Sequence, residues 1–328
     1  MRIARLLRPT GLVVSIALAV VLAVVAGASV ATPLTRGTTA DGAQTGSTPG
    51  PGPAALRHVG ERDGWSRYLL AENRVPDGLA PGAGFRGQLE WVQNGLLRRA
   101  RVTIPAGLSQ EAPLLVTLAG YNGSLDSAER QQRWAPVTEQ SGAVLAEAAA
   151  ADGAWNAGRC CKRGVTEDID DVGYLDRLVE IVTALQEVDP RRVYFAGFSN
   201  GAMMAYRYAC ARPGRVAALV SVAGTMVSWC VPRFPTAVLA VNGTSDRTVP
   251  IEGGVNTILS TTLPPTARGP ELFARAGAVV RTVVVPKLGH SWPTAAQGFD
   301  ATAQGWAFLL AHPRPVAVRQ DRGGATVQ

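Results

Sequence analysis

Residues 193–201 read Val193-Tyr-Phe-Ala-Gly-Phe-Ser-Asn-Gly201 and run on into Ala202-Met203-Met204-Ala205. Val193, Tyr194, Phe195 and Ala196 suit a buried strand, a helix-forming run follows Gly201, and the turn between them spells G-x-S-x-G. Such a turn holds its serine at a strained strand-to-helix junction, and the flanking glycines keep Cβ atoms away from the neighbouring backbone. Ser199 is therefore a candidate nucleophile. A bare G-x-S-x-G string also arises as an ordinary glycine-rich turn, so the reading depends on what the rest of the chain supplies.

Working outward, Leu114–Leu118 is a short apolar run that predicts a central strand, and it feeds the loop Ala119-Gly120-Tyr121-Asn122-Gly123-Ser124. Gln88–Val92 and Leu96–Ile104 flank Asn94-Gly95, a hairpin signal. Ser127–Gln140 reads as a helix, Ala143–Ala148 as a strand, and Asp152–Gly164 as a loop. Asp168-Ile-Asp-Asp-Val-Gly-Tyr opens a helix to about Glu187, its acids suiting the helix dipole and capping. After the 193–201 turn come a helix to about Arg212, strands at Ala217–Val222, Thr236–Val241 and Val279–Val285, and a last helix over Asp300–Leu310. This alternation predicts an α/β fold: a mostly parallel central sheet, an antiparallel N-terminal hairpin, and helices on both faces.

A serine nucleophile needs a base, and the chain holds three histidines. His58 lies at the edge of an N-terminal linker and His312 at the end of the last helix. His290, in Gly289-His290-Ser291-Trp292-Pro293, follows a predicted strand. The base needs a carboxylate, and after Ser199 the acids are Asp246, Glu252, Glu271, Asp300 and Asp321. Asp246 directly follows a predicted strand, whereas helix capping accounts for Asp300. Ser199, Asp246 and His290 are the candidate catalytic residues. The oxyanion that forms in acyl transfer needs backbone N–H donors. The candidates are Asn200, which follows the serine, and Tyr121 in the early glycine-rich loop.

The chain has 328 residues, 47% of them hydrophobic, and a net charge of +7, three of which come from Arg2, Arg5 and Arg8 ahead of the apolar run Gly11–Ala31. That pattern is a targeting segment, either a cleaved signal peptide or an uncleaved anchor, and both export the remainder. No basic run exceeds two residues and no aromatics interleave with cations, so nucleic acid is excluded as a partner, and the membrane enters only through the N-terminal anchor. Residues 1–31 are thus the targeting segment, 32–55 a Pro/Gly/Thr-rich flexible linker, 56–312 the folded domain and 313–328 a disordered tail. Cys160, Cys161, Cys210 and Cys230 lack zinc spacing and neighbouring histidines, so no metal is expected and disulfides are. Adjacent cysteines rarely pair, which directs Cys160 and Cys161 each to one of Cys210 and Cys230 and leaves two connectivities open.

These motifs converge on one family. The Ser-Asn-Gly elbow with its two methionines, Trp155-Asn156-Ala-Gly-Arg-Cys160-Cys161, Asp168-Ile-Asp-Asp-Val-Gly-Tyr, Asn242-Gly-Thr-Ser-Asp246 and Gly289-His290-Ser-Trp292-Pro together resemble the secreted polyhydroxybutyrate depolymerase and feruloyl esterase family. The resemblance covers about residues 85–312. It implies an α/β-hydrolase carboxylesterase working through an acyl-enzyme without metal or organic cofactor, with Ser199 as nucleophile, Asp246 as acid and His290 as base. Ala119-Gly120 stands where the family carries His-Gly, and Asn122 replaces a glycine. The Pro250–Val279 segment is short and poor in aromatics, leaving Trp155 and Trp292 as candidate pocket walls beside their alternative of core packing. The expected function is hydrolysis of a small or polymeric ester. The rivals are a serine peptidase of the same fold and a catalytically silent surface-binding protein.

Overall fold

The computed structural model describes residues 55–71, 74–108 and 111–315. The targeting segment, nearly all of the linker and most of the tail expected from the sequence lie outside the described residues. The first strands are β1 (Leu56–Arg62), β2 (Trp65–Leu70), β3 (Phe85–Gln93) and β4 (Leu96–Ile104). At the β3–β4 turn, Asn94 and Gly95 sit at φ 51° and 74°, the left-handed values a two-residue hairpin requires, and pairing runs from Gln93↔Leu96 to Phe85↔Ile104. The β1–β2 hairpin turns on Asp63-Gly64 in the same way, with φ 53° and 77°. The sequence reading missed it because its strands mix charged and apolar residues. β2 then joins β3 in parallel.

The remainder alternates as expected: β5 (Ala112–Leu118), α1 (Leu125–Gln132), α2 (Ala135–Gln140), β6 (Val144–Ala148), α3 (Lys162–Thr166), α4 (Asp171–Leu185), β7 (Val188–Phe198), α5 (Asn200–Ala211), β8 (Ala218–Val222) and β9 (Ala237–Gly243). A short ribbon, β10 (Gly254–Asn256) with β11 (Thr261–Leu263), precedes α6 (Arg268–Arg275), β12 (Val280–Val285) and α7 (Ala301–Ala311). Ten strands form one sheet in the order β1-β2-β3-β4-β6-β5-β7-β8-β9-β12, parallel from β6 to β12. The helix expected over Ser127–Gln140 is two. Arg133 closes α1 at φ 49°, and Pro136 in the first turn of α2 cannot continue α1 because its ring removes the N–H.

Both faces of the central strands are buried, which is why they read as unbroken apolar runs. Leu114, Val116 and Leu118 of β5 pack with α4 and α5 on one face, while Leu115 joins Trp134, Trp306 and Leu309 on the other. Each fully covered Leu or Val contributes about 2 kcal/mol.

The cysteine expectation is corrected. Cys160 pairs with its neighbour Cys161, and Cys210 with Cys230, whose Cα atoms are 6.1 Å apart. Cys210 ends α5, where the loop after β8 brings Cys230 to it, while the Cys160–Cys161 pair lies at the start of α5, with Cys161 Sγ 3.3 Å from Asn200 Nδ2.

Candidate active site

Ser199 sits between β7 and α5 at φ 54° and ψ −119°, a strained conformation for a side chain with a Cβ. The turn is tight enough that a Cβ on Gly197 would lie 2.5 Å from the carbonyl carbon of Gly201, and a Cβ on Gly201 would collide with the carbonyl oxygens of Leu118 and Ala119. Three loops, those after β7, β9 and β12, leave the same carboxyl edge of the sheet, with β8 between the first two. Because β12 pairs with β9 in the register Val285↔Gly243, the loops bearing Asp246 and His290 are adjacent. The Asn242-Gly-Thr-Ser-Asp246 motif fastens them: a Cβ on Gly243 would strike Leu288, and Thr244 Oγ1 accepts from the Lys287 N–H at 2.8 Å.

His290 lies 2.9 Å through Nε2 from Ser199 Oγ and 2.7 Å through Nδ1 from Asp246 Oδ2. Asp246 Oδ1 accepts the Thr248 and Val249 N–H groups, both at 2.8 Å, so the carboxylate has a single orientation. The Asp246 side chain is fully buried and that of His290 is 22% exposed, which leaves the imidazole open on one side. Phe198 lies under the ring at 4.9 Å. His58, on β1, and His312, whose Nδ1 is 2.7 Å from the Phe308 carbonyl, lie outside this chain of contacts. Asp300 caps α7 by accepting from the Thr302 and Ala303 N–H groups.

The glycine-rich loop abuts the serine, since a Cβ on Gly120 would meet Ser199 Cβ at 3.5 Å. The Asn122 N–H donates to the Gly153 carbonyl and that of Gly123 to Gly120. The Tyr121 N–H donates to no acceptor among the described residues, and the Asn200 N–H, at the first position of α5, has no partner within its helix. Trp155 supports this corner. Its indole N–H donates to the Ala119 carbonyl at 2.8 Å, and its backbone N–H donates to Asn200 Oδ1 at 2.7 Å. The loop therefore leans on the Trp155 indole through the Ala119 carbonyl.

No family model matches the chain. Feruloyl esterase B of Piromyces equi is 30% identical over 174 residues, which cover 49% of this chain and 32% of that relative. NocK of Nocardia uniformis subsp. tsuyamanensis, assigned as an esterase, is 30% identical over 209 residues, 60% of each chain. The chain thus spans between about a third and three fifths of the length of these curated relatives. Among solved structures, native sOPH superposes with a TM-score of 0.55 at 18% identity, covering 74% of this chain and 92% of that one, a likeness of fold. The chain has the α/β-hydrolase fold, and part of its sequence is similar to feruloyl esterases. In this fold the two tryptophans expected either at a pocket wall or in the core are interior. Trp155 is fully buried and stacks on Tyr174, while Trp292 is 4% exposed, packs edge-on against Trp134 and donates to Thr302 Oγ1. Both indole N–H groups find partners only by facing inward.

The acids of Asp168-Ile-Asp-Asp, read as dipole and capping residues, divide three tasks. Asp170 alone caps α4, accepting from the Gly173 N–H at 2.8 Å. Asp168 accepts from Asn156 Nδ2. Asp171 is buried, pairs with the buried Arg98 of β4 at 2.7 Å and accepts the Asn156 N–H at 2.7 Å. Burial pushes the Asp171 carboxyl up, and Arg98 opposes that. The acids thereby anchor the loop that holds Asn200, a link invisible in sequence because Arg98 is 73 residues away. A cleft of about 520 Å³ runs alongside Asn122, Gly123 and Ser124, walled by Arg67, Glu90 and Arg101; none of Ser199, Asp246 and His290 lines it.

Proposed function

We propose that the protein is an exported serine carboxylesterase that cleaves esters through an acyl-enzyme. The observation that carries the reading is the unbroken contact chain from Ser199 Oγ through His290 to Asp246, with the second Asp246 oxygen tied to two backbone N–H groups. In the proposed cycle His290 Nε2 takes the proton from Oγ as Oγ bonds to the ester carbonyl carbon. The oxyanion is met by the N–H groups of Asn200 and Tyr121, and Asp246 stabilises the imidazolium. The C–O bond to the alcohol breaks, His290 returns the proton to the departing oxygen, and water repeats the sequence to release the acid. Names of the sequence relatives support an ester substrate, and the two disulfides support an oxidising compartment. Turnover of p-nitrophenyl acetate and butyrate by the wild type, reduced at least about 10⁴-fold in Ser199→Ala, is the expected result. Equal turnover by the two proteins would overturn it. A fluorophosphonate probe that labels Ser199 while an amide substrate survives separates the esterase from a silent scaffold and from a peptidase.

A further inference from the structure

The loops capping the carboxyl edge of the sheet carry an amphipathic surface that the ester chemistry does not use. Val255, Trp229, Val231 and Ile258 are 80%, 70%, 66% and 60% exposed, and no other large apolar side chain among the described residues is as open. They come from the loop after β8 and from the β10–β11 ribbon, and Arg159 joins the two. Its guanidinium lies 4.3 Å from the Trp229 ring, and its carbonyl accepts the Thr261 hydroxyl at 3.0 Å. Arg268 reaches the same ring at 5.7 Å, and Lys162 donates to Ser260 at the ribbon turn.

The same segments are strongly basic. Residues 154–163 and 224–235 contain no acid, and residues 247–268 contain only Glu252, against Arg159, Lys162, Arg163, Arg233, Arg247 and Arg268. Of these cations Arg163 is paired, with Asp152 and Glu167; the other five form no ion pair among the described residues. The surface shares the carboxyl edge of the sheet with the serine. A Cβ on Gly224 would sit 3.1 Å from the Ser199 carbonyl, and Trp229 follows five residues later, within about 18 Å of chain. Cys161 Sγ, two residues from Arg159, is 3.3 Å from Asn200 Nδ2.

Exposed aliphatic tips beside a tryptophan in a basic field match an anionic lipid surface. The indole suits the headgroup boundary, the valines and isoleucine the first acyl methylenes, and the guanidiniums the phosphates. A soluble anion would satisfy the cations but leave Val231, Val255 and Ile258 in water, and an apolar protein face would strip the cations of solvent without pairing them. We propose that this cap seats the mouth of the site on an anionic lipid surface, a binding property that holds whether or not Ser199 turns over esters.

Trp229 is its own reporter, because the other six tryptophans are at most 6% exposed. The full chain is mixed with vesicles of phosphatidylglycerol or phosphatidylcholine brominated in the upper acyl chain, and indole emission is followed. Quenching at Trp229 reads the cap itself, whatever residues 11–31 do. Expected are quenching by the anionic vesicles, weakening at high salt, an affinity about fivefold lower for Arg159→Gln, and loss of quenching in Ile258→Asp with unchanged thermal melting. The proposal fails if anionic vesicles do not quench, if phosphatidylcholine quenches equally, or if Ile258→Asp still quenches. It fails likewise if emission responds to a soluble acidic oligosaccharide and not to vesicles.

Discussion

Asp246 shows how much a single carboxylate can decide. Its Oδ2 faces His290 Nδ1 and its Oδ1 is held by two amides, so Asp246→Asn keeps the shape but presents an NH₂ group to the imidazole and favours the wrong tautomer. Esterase kcat is expected to fall roughly 10⁴-fold with little change in KM, measured by steady-state hydrolysis of p-nitrophenyl butyrate. Asp171 makes the contrasting case. Asp171→Asn leaves the Arg98 guanidinium buried without its counter-charge, at an expected cost of about 3–5 kcal/mol in urea unfolding. Replacing both residues by apolar side chains of similar volume should recover most of that loss. At this scale Ser199, Asp246 and His290 were legible because each lies beside a strand end that an apolar run announces. The Asp171–Arg98 pair was not, since no local pattern links residues on β4 and α4.

At the scale of elements, the elbow works only because β5, β7 and α5 approach within backbone contact. Gly201→Ala would drive a methyl group into the carbonyls of Leu118 and Ala119, which also carry the glycine-rich loop. The expected outcome is a cost of about 2–3 kcal/mol in thermal unfolding together with a fall of about 10²-fold in esterase activity, because the Tyr121 amide would move with the loop. The strand–turn–helix order of this unit, and the Asn94-Gly95 hairpin, were readable from apolar runs and turn residues. The break between α1 and α2 was signalled in sequence only by Pro136, because Arg133 in a left-handed conformation has no sequence signature. The β10–β11 ribbon was missed for a related reason: three-residue strands are too short to show alternation.

Across the whole molecule, one buried acid makes stability depend on pH. Glu147 of β6 lies opposite Arg101 of β4, whose guanidinium is engaged by Asp126 and Glu129, and Glu147 makes no ion pair among the described residues. Burial first, and the nearby Glu129 second, push its carboxyl from 4.5 up to about 8. The folded state therefore binds this proton more tightly than the unfolded chain does. Its contribution is fully present below about pH 4.5 and is lost as pH rises through about 8, a change of a few kcal/mol in order of magnitude. Chemical denaturation at pH 5, 7 and 8.5 should show that decline in the wild type and a flatter profile in Glu147→Gln. An unchanged slope in the variant would assign the pH dependence to other groups.

By itself the sequence determined the alternating α/β plan, the elbow at Ser199 and the chain order in which Asp246 and His290 follow it. Those depend on local periodicity and on turns whose residue types are restricted by backbone sterics. Tertiary structure alone decided which cysteines meet, that Trp155 and Trp292 face inward, and that Asp171 anchors the loop behind Asn200. Each of these depends on how close distant segments come and on which buried donors must find acceptors, and no window of neighbouring residues contains that information. The elbow shares in both. Its glycines are legible in Val193–Gly201, but the carbonyls of Leu118 and Ala119 that require Gly201 arrive only when β5 pairs with β7.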